Sequence, residues 1–128
     1  MRTTIDLVKL TPEEEELLKE PLMFYGQQWV NYMKEHHVAD WSKMCGYCRI
    51  GLIARQVDRE AMELDDLLDE QYRKQNPPPM NGSFIENSAY NNTKGMYIRH
   101  EVMEQVVLRY RMDEKVERQI RETDDMPM

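Results

Sequence analysis

Glycine is scarce in this chain, 5 of 128 residues, which argues against a turn-dense all-β protein. Long apolar runs are missing as well. No stretch approaches the ~20 residues that a helix needs to cross a bilayer, so no membrane partner is expected. The opening residues Met1-Arg2-Thr3-Thr4-Ile5-Asp6 lack the apolar core of a signal peptide, and the expected location is the cytoplasm. No Walker A loop, dinucleotide fingerprint, EF-hand or nucleophile elbow is present, and the expectation is a protein without catalysis or cofactor. Positive charge is also in deficit: 17 Lys and Arg against 24 Asp and Glu leave a formal net charge of -7. Non-specific nucleic-acid binding by the molecule as a whole is therefore disfavoured, although local patches can still bind. Residues 1–40 carry four Lys/Arg against eight Asp/Glu, whereas residues 76–112 carry Lys94, Arg99, Arg109 and Arg111 against three acids. A basic side, if the protein has one, lies in that later segment.

What is present points to helices. Hydrophobic residues make up 41% and charged residues 32%, a balance suited to a small helical protein with one core. Thr11-Pro12-Glu13-Glu14 combines a good N-cap, a proline at the first helical position and an acid placed for a capping box, so a helix begins at Pro12. The run Glu13 to Glu16 is read as a helix-start device at the positive end of the dipole, with no chemistry of its own. Pro21 ends or kinks this segment. From Leu22 to His36, Met23, Phe24, Trp29, Val30, Tyr32 and Met33 recur at mostly three- and four-residue steps, which marks an amphipathic helix. A short step, His37 to Asp40, then leads to a long helix from Trp41 to about Lys74 with Asp40 as its N-cap. Its apolar stripe runs through Met44, Ile50, Ile53, Val57, Ala61, Leu64, Leu67, Leu68 and Tyr72. Gly46 and Gly51 are expected to allow close helix approach or a local bend.

Asn76-Pro77-Pro78-Pro79-Met80-Asn81-Gly82 ends that helix and begins a stiff connector. A further helix is expected to start between Asn92 and Tyr97 and to reach Tyr110, with Val102, Met103, Val106, Val107 and Tyr110 on one side. Asp113 caps a last short helix, Glu114 to Arg121. The predicted fold class is thus all-α, a helical hairpin with a long second helix, a Pro-rich connector and C-terminal helices. The segments are residues 1–75 (hairpin region), 76–95 (Pro/Asn-rich connector), 96–121 (C-terminal helices) and 122–128 (acidic disordered tail).

Few residues invite chemistry. Cys45-Gly46-Tyr47-Cys48 has Cys-x-x-Cys spacing, with His36 and His37 upstream. A structural zinc site normally draws its second ligand pair from a separate knuckle, and a thioredoxin-like pair sits at a helix N-terminus after a strand. Neither context is present, so two reduced, mostly buried cysteines and no metal are expected. His100 is read as an exposed helix-start residue, and Asp65-Asp66 and Asp69-Glu70 as a solvated helix face. The 11 methionines are read first as core filler. This many large apolar side chains on long amphipathic helices also favours self-association.

The order of elements resembles one group of phage terminase small subunits. The likeness is carried by an aromatic helix (Phe24, Tyr25, Trp29, Tyr32), a short step, and a long helix from Asp40-Trp41 with Arg55, Glu60 and Glu63. A polar loop, a helix with Met103 and Val107, and Tyr110-Arg111-Met112-Asp113 before a short charged helix complete it, over roughly residues 22–121. The family's glycine and proline at the last turn are Arg111 and Glu114 here, and its following arginine falls one position late, at Arg118. The resemblance implies a non-catalytic homo-oligomeric ring that recognises double-stranded viral DNA in the host cytoplasm and delivers it to a terminase large subunit. Phosphate contacts are then expected from Lys94, Arg99, Arg109 and Arg111, with Lys43, Arg49 and Arg55 as a second set. The alternative is a phage or mobile-element helical adaptor or inhibitor that holds a protein partner.

Overall fold

The computed structural model describes residues 9–124, with side chains through residue 122, and among them there are six α-helices and no strand. The all-α expectation holds. α1 (Pro12–Leu18) starts as its sequence dictates: the Thr11 hydroxyl accepts the Glu14 N–H at 3.2 Å, and the Glu14 carboxylate accepts the Thr11 N–H at 2.9 Å. Lys19 to Met23, including Pro21, form the break before α2 (Phe24–His36).

α2 has no side-chain cap of its own. Its N-terminus is capped from another helix: buried Asp58 accepts the Met23 N–H at 2.8 Å and the Gly26 N–H at 2.6 Å. The cap is possible because position 26 has no side chain. A Cβ there would lie 2.4 Å from the Ala54 carbonyl oxygen and 2.6 Å from Asp58 Oδ2. Small residues at 26, 54 and 61 bring α2 against α4 (Ile50–Gln75), and Trp29 and Met33 fill the interface beside Ile53 and Val57.

The hairpin's second arm is not one continuous helix from Trp41. His37 alone turns the corner, with φ -140° and ψ 52°, and α3 (Val38–Gly46) begins at once, so Asp40 lies in its first turn and is not an N-cap. α3 then stops. Tyr47-Cys48-Arg49 breaks the run, Cys48 adopts the left-handed region at φ 59°, and α4 restarts at Ile50. The bend expected near Gly46 is real, and it divides the long helix in two. The apolar spacing continues across the break because Met44 on one side and Ile53 on the other enter the same core.

The connector is also shorter than residues 76–95. Asn81, with φ 57°, completes the turn after the prolines, and Ser83 caps α5 (Phe84–Val102) by accepting the Glu86 N–H at 3.2 Å. α5 returns along α4, with Tyr72 packed near Tyr90 and Tyr97 and the Tyr90 hydroxyl donating to the Asn76 carbonyl at 2.7 Å. It ends in a π-helical turn, Met103–Val107, closed by Leu108 N–H on the Met103 carbonyl at 2.8 Å. Val102 and Val107 enter the core, whereas Tyr110 lies beyond the helix and is half exposed, against the expected stripe.

α6 (Glu114–Asp124) is capped by Asp113 as expected, Oδ1 accepting the Lys115 and Val116 N–H groups at 2.7 and 3.3 Å. Residues 122–124, assigned from sequence to the disordered tail, extend this helix; the rest of that tail lies outside the described residues. No described helix is long and apolar enough to cross a membrane.

Gly95 gives a direct check on α5. It is exposed inside the helix, its φ is not positive, and an added Cβ would meet nothing within 4 Å. Gly95→Ala is expected to stabilise the fold by ~0.5–1 kcal/mol in urea unfolding, because alanine loses less backbone entropy. A destabilised variant would mean that this helix is not formed as described.

Candidate functional site

The seven candidate cations do not form one surface. Arg49 is the largest departure: it is 2% exposed. Its Nε donates to Asp113 Oδ2 at 2.8 Å, and its two terminal nitrogens grip the two Glu14 oxygens, at 3.2 Å for Nη1. Lys115 adds a third cation contact to Glu14 at 3.1 Å. Arg49 is therefore a structural centre and leaves the DNA-contact set.

The network has an economical layout. Glu14 is the capping-box acid of α1, Asp113 is the N-cap of α6, and each uses remaining acceptor capacity on the same guanidinium. Partial burial pushes the Glu14 carboxyl upward, but hydrogen bonds from Arg49, the Thr11 amide and Lys115, with the Arg49 charge, outweigh it and hold the pKa at about 2. Burial acts to lower the Arg49 pKa, and the hydrogen bonds and charges of Glu14 and Asp113 reverse that, so the guanidinium stays charged. Glu14 thus does more than start a helix.

Other candidates are also engaged. Arg55 donates to the Glu20 carbonyl at 2.7 Å and the Gly51 carbonyl at 2.9 Å. Lys94 pairs with Asp69 at 2.8 Å, Arg111 with Glu60 at 2.6 Å and Lys43 loosely with Asp40 at 3.9 Å. Arg99 and Arg109 differ from the paired cations by lacking a carboxylate partner and from half-buried Arg55 by their exposure. Both are exposed, and neither makes an ion pair among the described residues. Arg99 lies over the Phe24 ring at 4.9 Å, and Arg109 donates to the Glu104 carbonyl at 3.1 Å, a group left free by the π turn. Arg109 also lines a shallow groove of about 630 Å³ with Tyr32, Glu104, Leu108 and Tyr110.

A second surface is apolar. At the far end of the α4–α5 arm Met80, Phe84 and Ile85 are 91%, 85% and 78% exposed, with Met96 at 75% further along α5. Met80, Phe84 and Ile85 fall where a polar connector is expected from the sequence. The Ser83-x-x-Glu86 capping signal was the local clue that a helix begins there and presents these side chains.

The cysteines are not both buried. Cys45 is partly buried at the end of α3 and Cys48 is exposed in the break, both as free thiols. His37 packs edge-on between Tyr32 and Tyr110, and His36 lies against Tyr32. Among the described residues no group of three or more His, Cys, Asp or Glu side chains comes together to hold a metal. His100 is exposed, as expected, but it lies in the last turn of α5 and not at a helix start, 3.2 Å from Glu104. Asp65 and Asp69 are not simply solvated: Asp65 accepts the Tyr25 hydroxyl at 3.0 Å and Asp69 holds Lys94.

No protein-family model, curated protein or solved structure matches the chain.

Proposed function

We propose that the protein is a non-catalytic assembly and recognition subunit of the phage terminase small-subunit kind, which self-associates through the end of its α4–α5 arm and meets double-stranded DNA through Arg99 and Arg109. The observation that carries the reading is the apolar tip. Met80, Phe84 and Ile85 are left uncovered at the proline-bearing end of the α4–α5 hairpin, and neighbouring apolar exposure of this kind marks an interaction surface. A second copy of the chain is the occupant this reading assigns to it. DNA binding rests on fewer groups than the sequence suggested, since Arg49 is buried and Lys94, Arg111 and Lys43 face carboxylates.

Sedimentation velocity and a salt series of DNA affinity test the two halves together. The wild-type chain is expected to be oligomeric at micromolar concentration, and Phe84→Glu with Ile85→Glu is expected to disperse it without loss of helix. Removing the charges of Arg99 and Arg109 should reduce the slope of log affinity against log salt by about 2, from ~0.9 per phosphate contact. A monomeric wild-type chain overturns the assembly reading.

The net charge of -7 and the ion pairing of most candidate cations favour a second reading, a helical adaptor that holds a protein partner. An oligomer with no DNA affinity at low salt would replace the first reading with this one.

A further inference from the structure

We propose that Cys45 and Cys48 form a dithiol site that exchanges with a low-molecular-weight disulfide and closes an intramolecular Cys45–Cys48 bond. The break between α3 and α4 brings the two residues together. Cys48 N–H donates to the Cys45 carbonyl at 3.0 Å, an i to i+3 turn. Such a turn holds its end Cα atoms within ~7 Å, a range that overlaps the ~4.4–6.8 Å of disulfides. A continuous helix would have left Cys48 in the apolar stripe. Instead its left-handed conformation places it in the turn with its side chain open to solvent.

The two thiols are unequal, which sets the order of events. Cys45 is partly covered, and burial, then the charge of Cys48, push its thiol up, with Lys34 opposing. Cys48, the accessible thiol, attacks as thiolate on one sulfur of the incoming disulfide, forms a mixed disulfide and expels the first thiolate. Cys45 then loses its proton to solvent and attacks Cys48 Sγ, expelling the second thiolate. Two electrons pass from the cysteine pair to the small disulfide, which leaves as two thiols. The new bond would tie the end of α3 to the residue before Arg49, whose own N–H is already fixed on the Met44 carbonyl at 2.9 Å.

The test uses the native 128-residue chain in buffers of glutathione and glutathione disulfide, quenched with acid and read by intact mass and peptide mapping. The expected product is a single chain mass lighter by two hydrogens, linked Cys45 to Cys48, with no covalent cross-link between chains and no glutathione retained. Cys45→Ser should stop at a stable glutathione adduct on Cys48, and Cys48→Ser should form its adduct on Cys45 several-fold more slowly. Wild-type chains that accumulate glutathione adducts, cross-link to one another, or keep both thiols alkylatable across the series would overturn the site. Faster modification of Cys48→Ser than of Cys45→Ser would overturn the order of attack. The wild-type mass decides the main point even where a serine variant folds poorly.

Discussion

Arg49→Met is expected to cost about 3–5 kcal/mol of unfolding free energy, because it leaves two largely buried carboxylates facing each other without their shared cation. Glu14 is 13% exposed and Asp113 3% at the side chain, so little solvent reaches either. Methionine fills most of the vacated volume, which confines the loss to charge and hydrogen bonding. Adding Glu14→Gln and Asp113→Asn to Arg49→Met is expected to recover much of the stability. Glutamine still completes a capping box and asparagine still caps a helix, and the one cation left without its carboxylate, Lys115, has solvent access. Urea unfolding followed by circular dichroism reads all three proteins. A loss under about 1 kcal/mol for Arg49→Met would show that the network contributes no more than an exposed ion pair.

The same network predicts a pH signature. The Glu14 pKa is lowered from 4.5 to about 2 in the folded chain. A depressed folded pKa gives stability that is fully present above the unfolded value and is lost as pH falls through the folded one. Wild-type stability should therefore decline between about pH 4.5 and pH 2, and the contribution of Glu14 to that slope should be smaller in Arg49→Met, where only the Thr11 amide and Lys115 still hold the carboxylate. Equal slopes in the two proteins would mean that Arg49 does not hold the Glu14 carboxylate down.

The second large effect is expected at Gly26. Alanine would place its Cβ 2.4 Å from a backbone oxygen of Ala54, an atom that cannot swing aside, and 2.6 Å from Asp58 Oδ2. Either α2 retreats from α4 or the Asp58 cap is lost, and Trp29 and Met33 move with α2. A net destabilisation of about 3 kcal/mol is expected, at the upper end for an overpacked core and in spite of the ~1 kcal/mol that alanine gains in helix propensity. Gly95→Ala, with the opposite sign, is the internal control. A Gly26→Ala protein within 0.5 kcal/mol of wild type, measured to a precision of about that size, would show that the helices slide apart at little cost.

Local chemistry accounts for what was legible in the sequence. Thr11-Pro12-Glu14 and Asp113 are helix-start signals complete within three residues, and both act as written. The stripe of α2 and α4 was visible because burial of one helix face imposes a period. The break at Cys48 was hidden for the converse reason: Met44 and Ile53 keep helical spacing across it, and a cysteine with positive φ carries none of the glycine or asparagine marking of a turn. The first half of α5 was missed because most of its surface stays exposed, so no apolar period develops there. The candidate cations illustrate a deeper limit. Arg49 meets Glu14 and Asp113 at separations of 35 and 64 residues, and Asp58 reaches Gly26 across 32. Nothing near Arg49 in the chain distinguishes it from exposed Arg99.

The shared guanidinium also sets how the molecule comes apart. α1 and α6 lie at opposite ends of the described chain and are each only a few turns long, so neither is stable by itself in water. Because Glu14, Asp113 and Lys115 converge around Arg49, fraying of one terminal helix removes a partner from the network that holds the other. Helices α1 and α6 therefore open as one cooperative unit, and their amides should exchange with solvent at a common free energy below that of the α2–α4 core.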